Sequence, residues 1–167
     1  MLGRVAGWRP KHHGGGANYL CMPLTPMYSK PPTPGDYSKA SLFGVEYGQV
    51  EDLFAIPGQG KQINYLGVPC AMCRVEKRGS LLMIPARNVC PSRQWTREYH
   101  GYLMTDVSNS TRPEYICVDA DATGVSVTNR KSQSGKALLT SVQGKCGVLP
   151  CPRYKQDWEL TCAVCTM

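Results

Sequence analysis

Nine cysteines in 167 residues constrain this chain more than any other feature. Two of them form a Cys-x-x-Cys pair, Cys70 and Cys73, within Val68-Pro-Cys-Ala-Met-Cys, and the pair returns near the end as Cys162-Ala-Val-Cys165. An earlier echo links Asn18-Tyr-Leu-Cys21 to Glu114-Tyr-Ile-Cys117. The Tyr-x-Cys match is offset by 96 residues and the Cys-x-x-Cys match by 92. Two signatures in one order at nearly one spacing point to an internal duplication, which takes precedence over local signals in deciding a fold. The expected halves are 1–78 and 79–167, in one compact unit with the boundary near Gly79.

Cysteines at this density fit an oxidising compartment, where they pair as disulfides. Two Cys-x-x-Cys pairs also supply the ligand set of a structural zinc. Zinc-ribbon pairs, however, stand about 15–20 residues apart, whereas these lie some ninety apart and lack a Gly-rich knuckle. No strand–helix context follows either pair, so a thioredoxin-like redox motif is not expected. The sequon Asn109-Ser110-Thr111, in a polar loop, marks Asn109 as the candidate glycosylation site of a secreted glycoprotein. Met1–His13 carries Arg4, Arg9 and Lys11 and no apolar core, unlike a signal peptide. A secreted protein of this sequence is thus expected to be a mature or truncated form.

The local pattern is that of strands. Gly and Pro are numerous, Phe is scarce, and no long segment has a 3.6-residue apolar period. The reading is all-β, with short strands at 18–22, 41–47, 97–104, 114–118, 125–128 and 137–142. Ser80–Ala86 is nearly continuous apolar sequence and reads as a buried strand. Met1–Gly16 is basic and ends in three glycines, a flexible lead-in or tight turn. Five prolines between Pro23 and Asp36 exclude a central strand there and favour an extended loop. Glu51–Gly67 holds turn residues and little pattern.

Several function classes drop out. No apolar run nears the roughly 20 residues that span a bilayer as a helix. The net charge of +7 is scattered, and its densest cluster, Arg74–Arg78, contains Glu76, so nucleic acid is not an expected partner. His12, His13 and His100 have no motif around them. Asp119, Asp121 and Gly124 resemble a calcium loop but lack its third acidic ligand and distal Glu, so a polar turn is expected. Gly58-Gln-Gly-Lys61 lacks the phosphate-binding spacing, and no nucleophile elbow or zinc-protease helix occurs. No catalytic, cofactor or metal site is therefore expected, and the chain does not read as an enzyme.

The cysteine-bearing stretches together carry a resemblance. Cys90-Pro-Ser-Arg-Gln-Trp95, Tyr99-His-Gly-Tyr-Leu-Met104 and Cys162-Ala-Val-Cys165 resemble the C-terminal non-collagenous domain of type IV collagen, a tandem repeat. The chain is more similar still to the corresponding region of spongin-type short-chain collagens and related secreted invertebrate proteins. That likeness rests on Gly14–Pro23, Gly44-Val-Glu-Tyr47, Val68–Cys73 and Met83–Pro91. Two departures stand out. Arg93-Gln94 replaces the family's single Gly before Trp95, and the first half lacks the Cys-Pro opening that the second has at Cys90. No Gly-X-Y repeat is present.

The resemblance implies two similar disulfide-stapled halves and a specific pairing. In the second half it gives Cys90–Cys165, Cys117–Cys162 and Cys146–Cys151. Applied to the first half it gives Cys21–Cys70. Cys73 is left unpaired, or paired outside this sequence. It further implies a secreted, extracellular, non-enzymatic matrix protein that associates with itself, commonly as a trimer, or with related chains. The rival expectation is a secreted carbohydrate-binding protein, a lectin of defence or adhesion, with Trp8, Trp95 and Trp158 available to stack on sugar rings.

Overall fold

The computed structural model describes residues 1–7, 16–29, 40–54, 62–107, 113–126 and 137–167. In chain order its elements are β1 (Leu2–Gly7), β2 (Leu20–Pro23), β3 (Phe43–Tyr47), α1 (Glu51–Phe54) and β4 (Pro69–Ala71). Then follow β5 (Leu81–Pro85), β6 (Thr96–Asp106), β7 (Ile116–Asp119), β8 (Ala137–Ser141) and β9 (Thr161–Thr166). The strands form one mixed sheet in the order β2-β1-β3-β8-β6-β9-β5, with β4 against β1 and β7 against β6. Apart from the single turn α1, the fold is all-β among the described residues.

Each half is built around one strand that pairs antiparallel with three others. In the first half β1 pairs with β2, β3 and β4. In the second, β6 pairs with β7, β8 and β9. The registers agree residue by residue. Gly3 lies opposite Pro23 and Cys70, as Gly101 lies opposite Asp119 and Cys162. Val5 faces Cys21, as Leu103 faces Cys117. The irregular parts repeat too. The bridge Glu46–Gly67 has its counterpart in Gln143–Glu159. Tyr65 donates to the Tyr47 carbonyl at 2.9 Å and Asp157 to that of Gly144 at 2.9 Å, and both donors hold positive φ, 57° and 64°.

Glycine at the two equivalent positions has a physical cause. A Cβ on Gly3 would stand 2.3 Å from the Met22 carbonyl oxygen, and one on Gly101 would stand 1.8 Å from that of Val118. The neighbouring strand leans over the bare face of the glycine, a close approach that only a residue without Cβ permits. That lean brings the paired cysteines within reach. Cys21–Cys70 and Cys117–Cys162 have Cα separations of 5.8 and 5.7 Å, inside the range a disulfide requires.

The halves join where β3 runs parallel to β8, Val45 beside Ala137 and Tyr47 beside Leu139. The core fills this junction with Val45, Tyr47, Phe54, Met104, Val118 and Leu139. Phe54 meets Tyr102 edge to face at 5.4 Å. At the far edge of the second half, β5 pairs with β9 and Cys90 bonds to Cys165. Gly79 and Ser80 both donate to the Met167 carbonyl, tying the start of that half to its end.

Two sequence-based expectations need correction. The lead-in before Gly16 includes a central strand, since Leu2–Gly7 is β1. Its inward positions are Gly3, Val5 and Gly7, small residues that suit a crowded site but leave little apolar alternation to read. Ser80–Ala86 is a strand but not a buried one. β5 is the sheet's edge, with Leu81 mostly exposed, so its apolar run does not reflect burial on both faces. Of the expected strand at 125–128, residues 127 and 128 lie outside the described residues, and Val125 makes an isolated bridge to Gly67. Asn109, His12, His13, Trp8, the prolines 31, 32 and 34 and the segment 58–61 lie outside the described residues. No helix among the described residues is long and apolar enough to cross a membrane.

A groove between the two halves

A concavity of about 560 Å³ opens between the first-half sheet and β7 with the turn that follows it. Tyr19, the Cys21–Cys70 disulfide and Cys73 line one wall, and Tyr99, Asp119 and Asp121 contribute to the other. β4 is held against β1 by the Leu2–Ala71 to Arg4–Pro69 register, and Met72 continues the pairing by donating to the Met1 carbonyl at 2.8 Å. Reciprocal hydrogen bonds between Gly67 and Val125, 2.8 and 3.0 Å, tie the halves together nearby.

The tyrosines act here as scaffolding. The Tyr47 hydroxyl donates to the Thr123 carbonyl at 3.2 Å and that of Tyr99 to the Cys117 carbonyl at 3.1 Å. Burial pushes the Tyr47 phenol up to about 12. Tyr99 is raised by burial and by the Asp119 carboxylate. Tyr19 is raised by burial, with a further contribution from Asp106. All three are therefore neutral at physiological pH, donors or packing surfaces and not bases.

Asp119 organises its own turn. Its carboxylate accepts from the Asp121 amide at 2.9 Å and its carbonyl from that of Ala122 at 3.0 Å. This is the geometry of a polar turn. Among the described residues, no three His, Cys, Asp or Glu side chains converge on one point. His100 sits half-buried on β6 opposite Ala163, and its carbonyl accepts from Ala120. The groove has apolar and aromatic walls, with the carboxylates of Asp119 and Asp121 on one side.

Four disulfides are present: Cys21–Cys70, Cys90–Cys165, Cys117–Cys162 and Cys146–Cys151. They are the pairs that the collagen-domain pattern implies. Cys73 is free and exposed, on the groove wall. Among the aromatics singled out for stacking, Trp95 is half-buried. Trp158 is exposed beside Arg153, Tyr154 and Glu159, with the Lys155 ammonium 3.8 Å from its ring centroid. Sequence reasoning did not find the groove. Its walls come from segments far apart in the chain, and nothing in either segment alone marks it. Comparison with protein-family models, with characterised proteins and with solved structures finds no match to this chain.

Proposed function

We propose that this chain is a secreted, non-enzymatic extracellular protein of the matrix kind, whose globular unit directs self-association. The observation that carries the reading is the outward face of β2–β1–β4. Leu2, 71 % exposed, and Leu20, 43 % exposed, stand on that face with Ala71. Met1 and Leu24 lie exposed at the Leu2 end of that face, with Arg4 between Leu2 and Leu20. Exposed apolar residues gathered on one face of a folded unit favour a contact with another protein. The disulfides fit an extracellular setting, and the likeness to collagen non-collagenous domains supplies the expectation of a trimer. Native mass spectrometry tests this. The wild type is expected as an oligomer, and a Leu2→Glu, Leu20→Glu double variant as a folded monomer. A wild type that is monomeric at tens of micromolar, or an oligomer indifferent to both substitutions, overturns the reading.

A second reading, a carbohydrate-binding protein, has a different observation behind it: exposed Trp158 and its neighbour Tyr154, framed by polar side chains. An aromatic face with flanking polar groups is the surface on which sugar rings stack. A glycan array that binds the wild type and loses signal with Trp158→Ala favours this reading over the first.

A further inference from the structure

Because the two halves carry the same ladder, each shows which side chains the fold of the other requires. The bridge Gln143–Glu159 is the counterpart of Glu46–Gly67, so Trp158 stands where the first half has Leu66. Leu66 packs against the core, whereas Trp158 is 59 % exposed. An indole left outside forgoes the burial that its counterpart obtains. The ladder does not need an aromatic side chain at this position.

A concavity of about 420 Å³ opens around Trp158, lined also by Arg153, Tyr154, Lys155 and Glu159. Its backbone is held at several points. Gly144 donates to the Trp158 carbonyl at 3.0 Å, Asp157 to that of Gly144 at 2.9 Å and Tyr154 to that of Pro150 at 3.0 Å. The Cys146–Cys151 disulfide closes the adjoining loop. The Lys155 ammonium, 3.8 Å from the ring centroid, covers one face of the indole. The exposed area therefore belongs to its other face and edge. Charge around the ring is unbalanced. Lys145 and Asp157 pair with each other, but among the described residues neither Arg153 nor Lys155 pairs with a carboxylate. The carboxylate in the lining, Glu159, accepts from Gln143.

From this we infer that the Trp158 concavity binds an acidic saccharide, one whose rings bear carboxylate or sulfate groups. A sugar ring stacks on the open face of the indole. The Arg153 guanidinium takes the acidic group in its fork of donors. Lys155 brings a second cation, because a cation–π contact at an exposed site is weak enough to give up. Glu159 opposes a ligand that is charge alone and accepts from the hydroxyls of one that is not. Such a ligand presupposes the carbohydrate-binding reading of this surface and narrows it to one class of sugar.

The probes are short oligosaccharides of heparin (sulfated), hyaluronan (carboxylate only) and maltodextrin (neutral), titrated into the full-length protein at about 0.15 M salt, where surface charge is screened beyond about 8 Å. At least one acidic oligosaccharide is expected to bind about tenfold more tightly than the neutral one, the scale of one hydrogen bond to a charged group. The Arg153→Gln, Lys155→Gln pair is expected to remove that advantage. Arg74→Gln with Lys77→Gln takes the same charge from exposed positions outside the concavity and is expected to leave it in place. Trp158→Ala keeps the charge and is expected to weaken acidic binding about fivefold, with the near-ultraviolet circular dichroism of the remaining aromatics native. Equal losses from the two charge-removing pairs mean attraction to the protein's overall charge and overturn the inference. So does poly-glutamate that competes as well as the acidic sugar at equal charge, since the surface then takes acidic polypeptides. A neutral sugar bound through Trp158 as tightly as the acidic ones overturns the inference but keeps the carbohydrate reading. No binding by any of the three sugars removes both.

Discussion

A single missing side chain makes the repeated architecture possible. Gly101 stands where β7 crosses over β6, and a methyl group there would meet the Val118 carbonyl oxygen at 1.8 Å and the Ala120 nitrogen at 2.6 Å. Both obstacles are backbone, so no side-chain rotation relieves them. The neighbouring strand has to move, and Cys117 moves with it, away from Cys162. Gly101→Ala is therefore expected to destabilise the protein by about 3 kcal/mol, the upper end of overpacking costs. The urea midpoint of unfolding measures this. A cost below about 1 kcal/mol would mean that β7 relaxes freely, contrary to the close crossing. By contrast, Gly44 and Gly79 have open space around the Cβ position, and alanine there meets no steric penalty. The Gly-Tyr-Leu-Met motif around residue 101 is visible in the sequence. Its counterpart at Gly3 is not, because Gly-Arg-Val-Ala shares only the glycine and the alternation.

The elements were legible in proportion to how strongly each carries its own pattern. Thr96–Asp106 has Thr96, Tyr99, Tyr102 and Thr105 spread along its length, and its 97–104 portion reads as a strand from the sequence. β1 has two glycines, an alanine and an arginine in six residues, and only its pairing with three other strands makes it a strand. β5 misled in the opposite sense. Its run Leu-Leu-Met-Ile looks like the interior of a sheet, yet it is an edge, with Leu82 pairing beside Cys165. The disulfides fix these elements unequally. Cys90–Cys165 closes a 75-residue separation and Cys146–Cys151 one of 5. In the chain-entropy account these contribute about 4.5 and about 2 kcal/mol respectively. Replacing Cys90 and Cys165 together with serine should lower stability by about twice as much as replacing Cys146 and Cys151. It should also raise hydrogen exchange in β5 before the rest of the sheet. Paired denaturation curves at one pH decide this, and equal losses would show that the shorter loop holds more than its own turn.

At the scale of the whole molecule the halves share one sheet and one core, and the tyrosines at their junction give this a pH signature. Tyr19, Tyr47 and Tyr99 lie between the two halves, and each has its phenol raised above the ordinary 10.0, Tyr47 to about 12. The folded state therefore keeps these protons over a range in which the unfolded chain has lost them. Below the ordinary value both states are protonated, and the stabilisation is fully present. Above it the unfolded state binds fewer protons, so stability falls as pH rises through the window from 10.0 towards the folded values. With Cys73 alkylated to prevent disulfide exchange, the urea midpoint is expected to hold level up to about pH 9.5 and then drop steeply. The near-ultraviolet circular dichroism should stay native over the level range, and the tyrosinate absorbance of the buried three should appear only as that signal collapses. Tyr47→Phe removes one of the titrating groups and should make the decline shallower, although it also forfeits the hydrogen bond to Thr123. If instead all tyrosinate absorbance appears in one step near the ordinary value while the protein stays folded, the junction between the halves is open to water and does not hold them together.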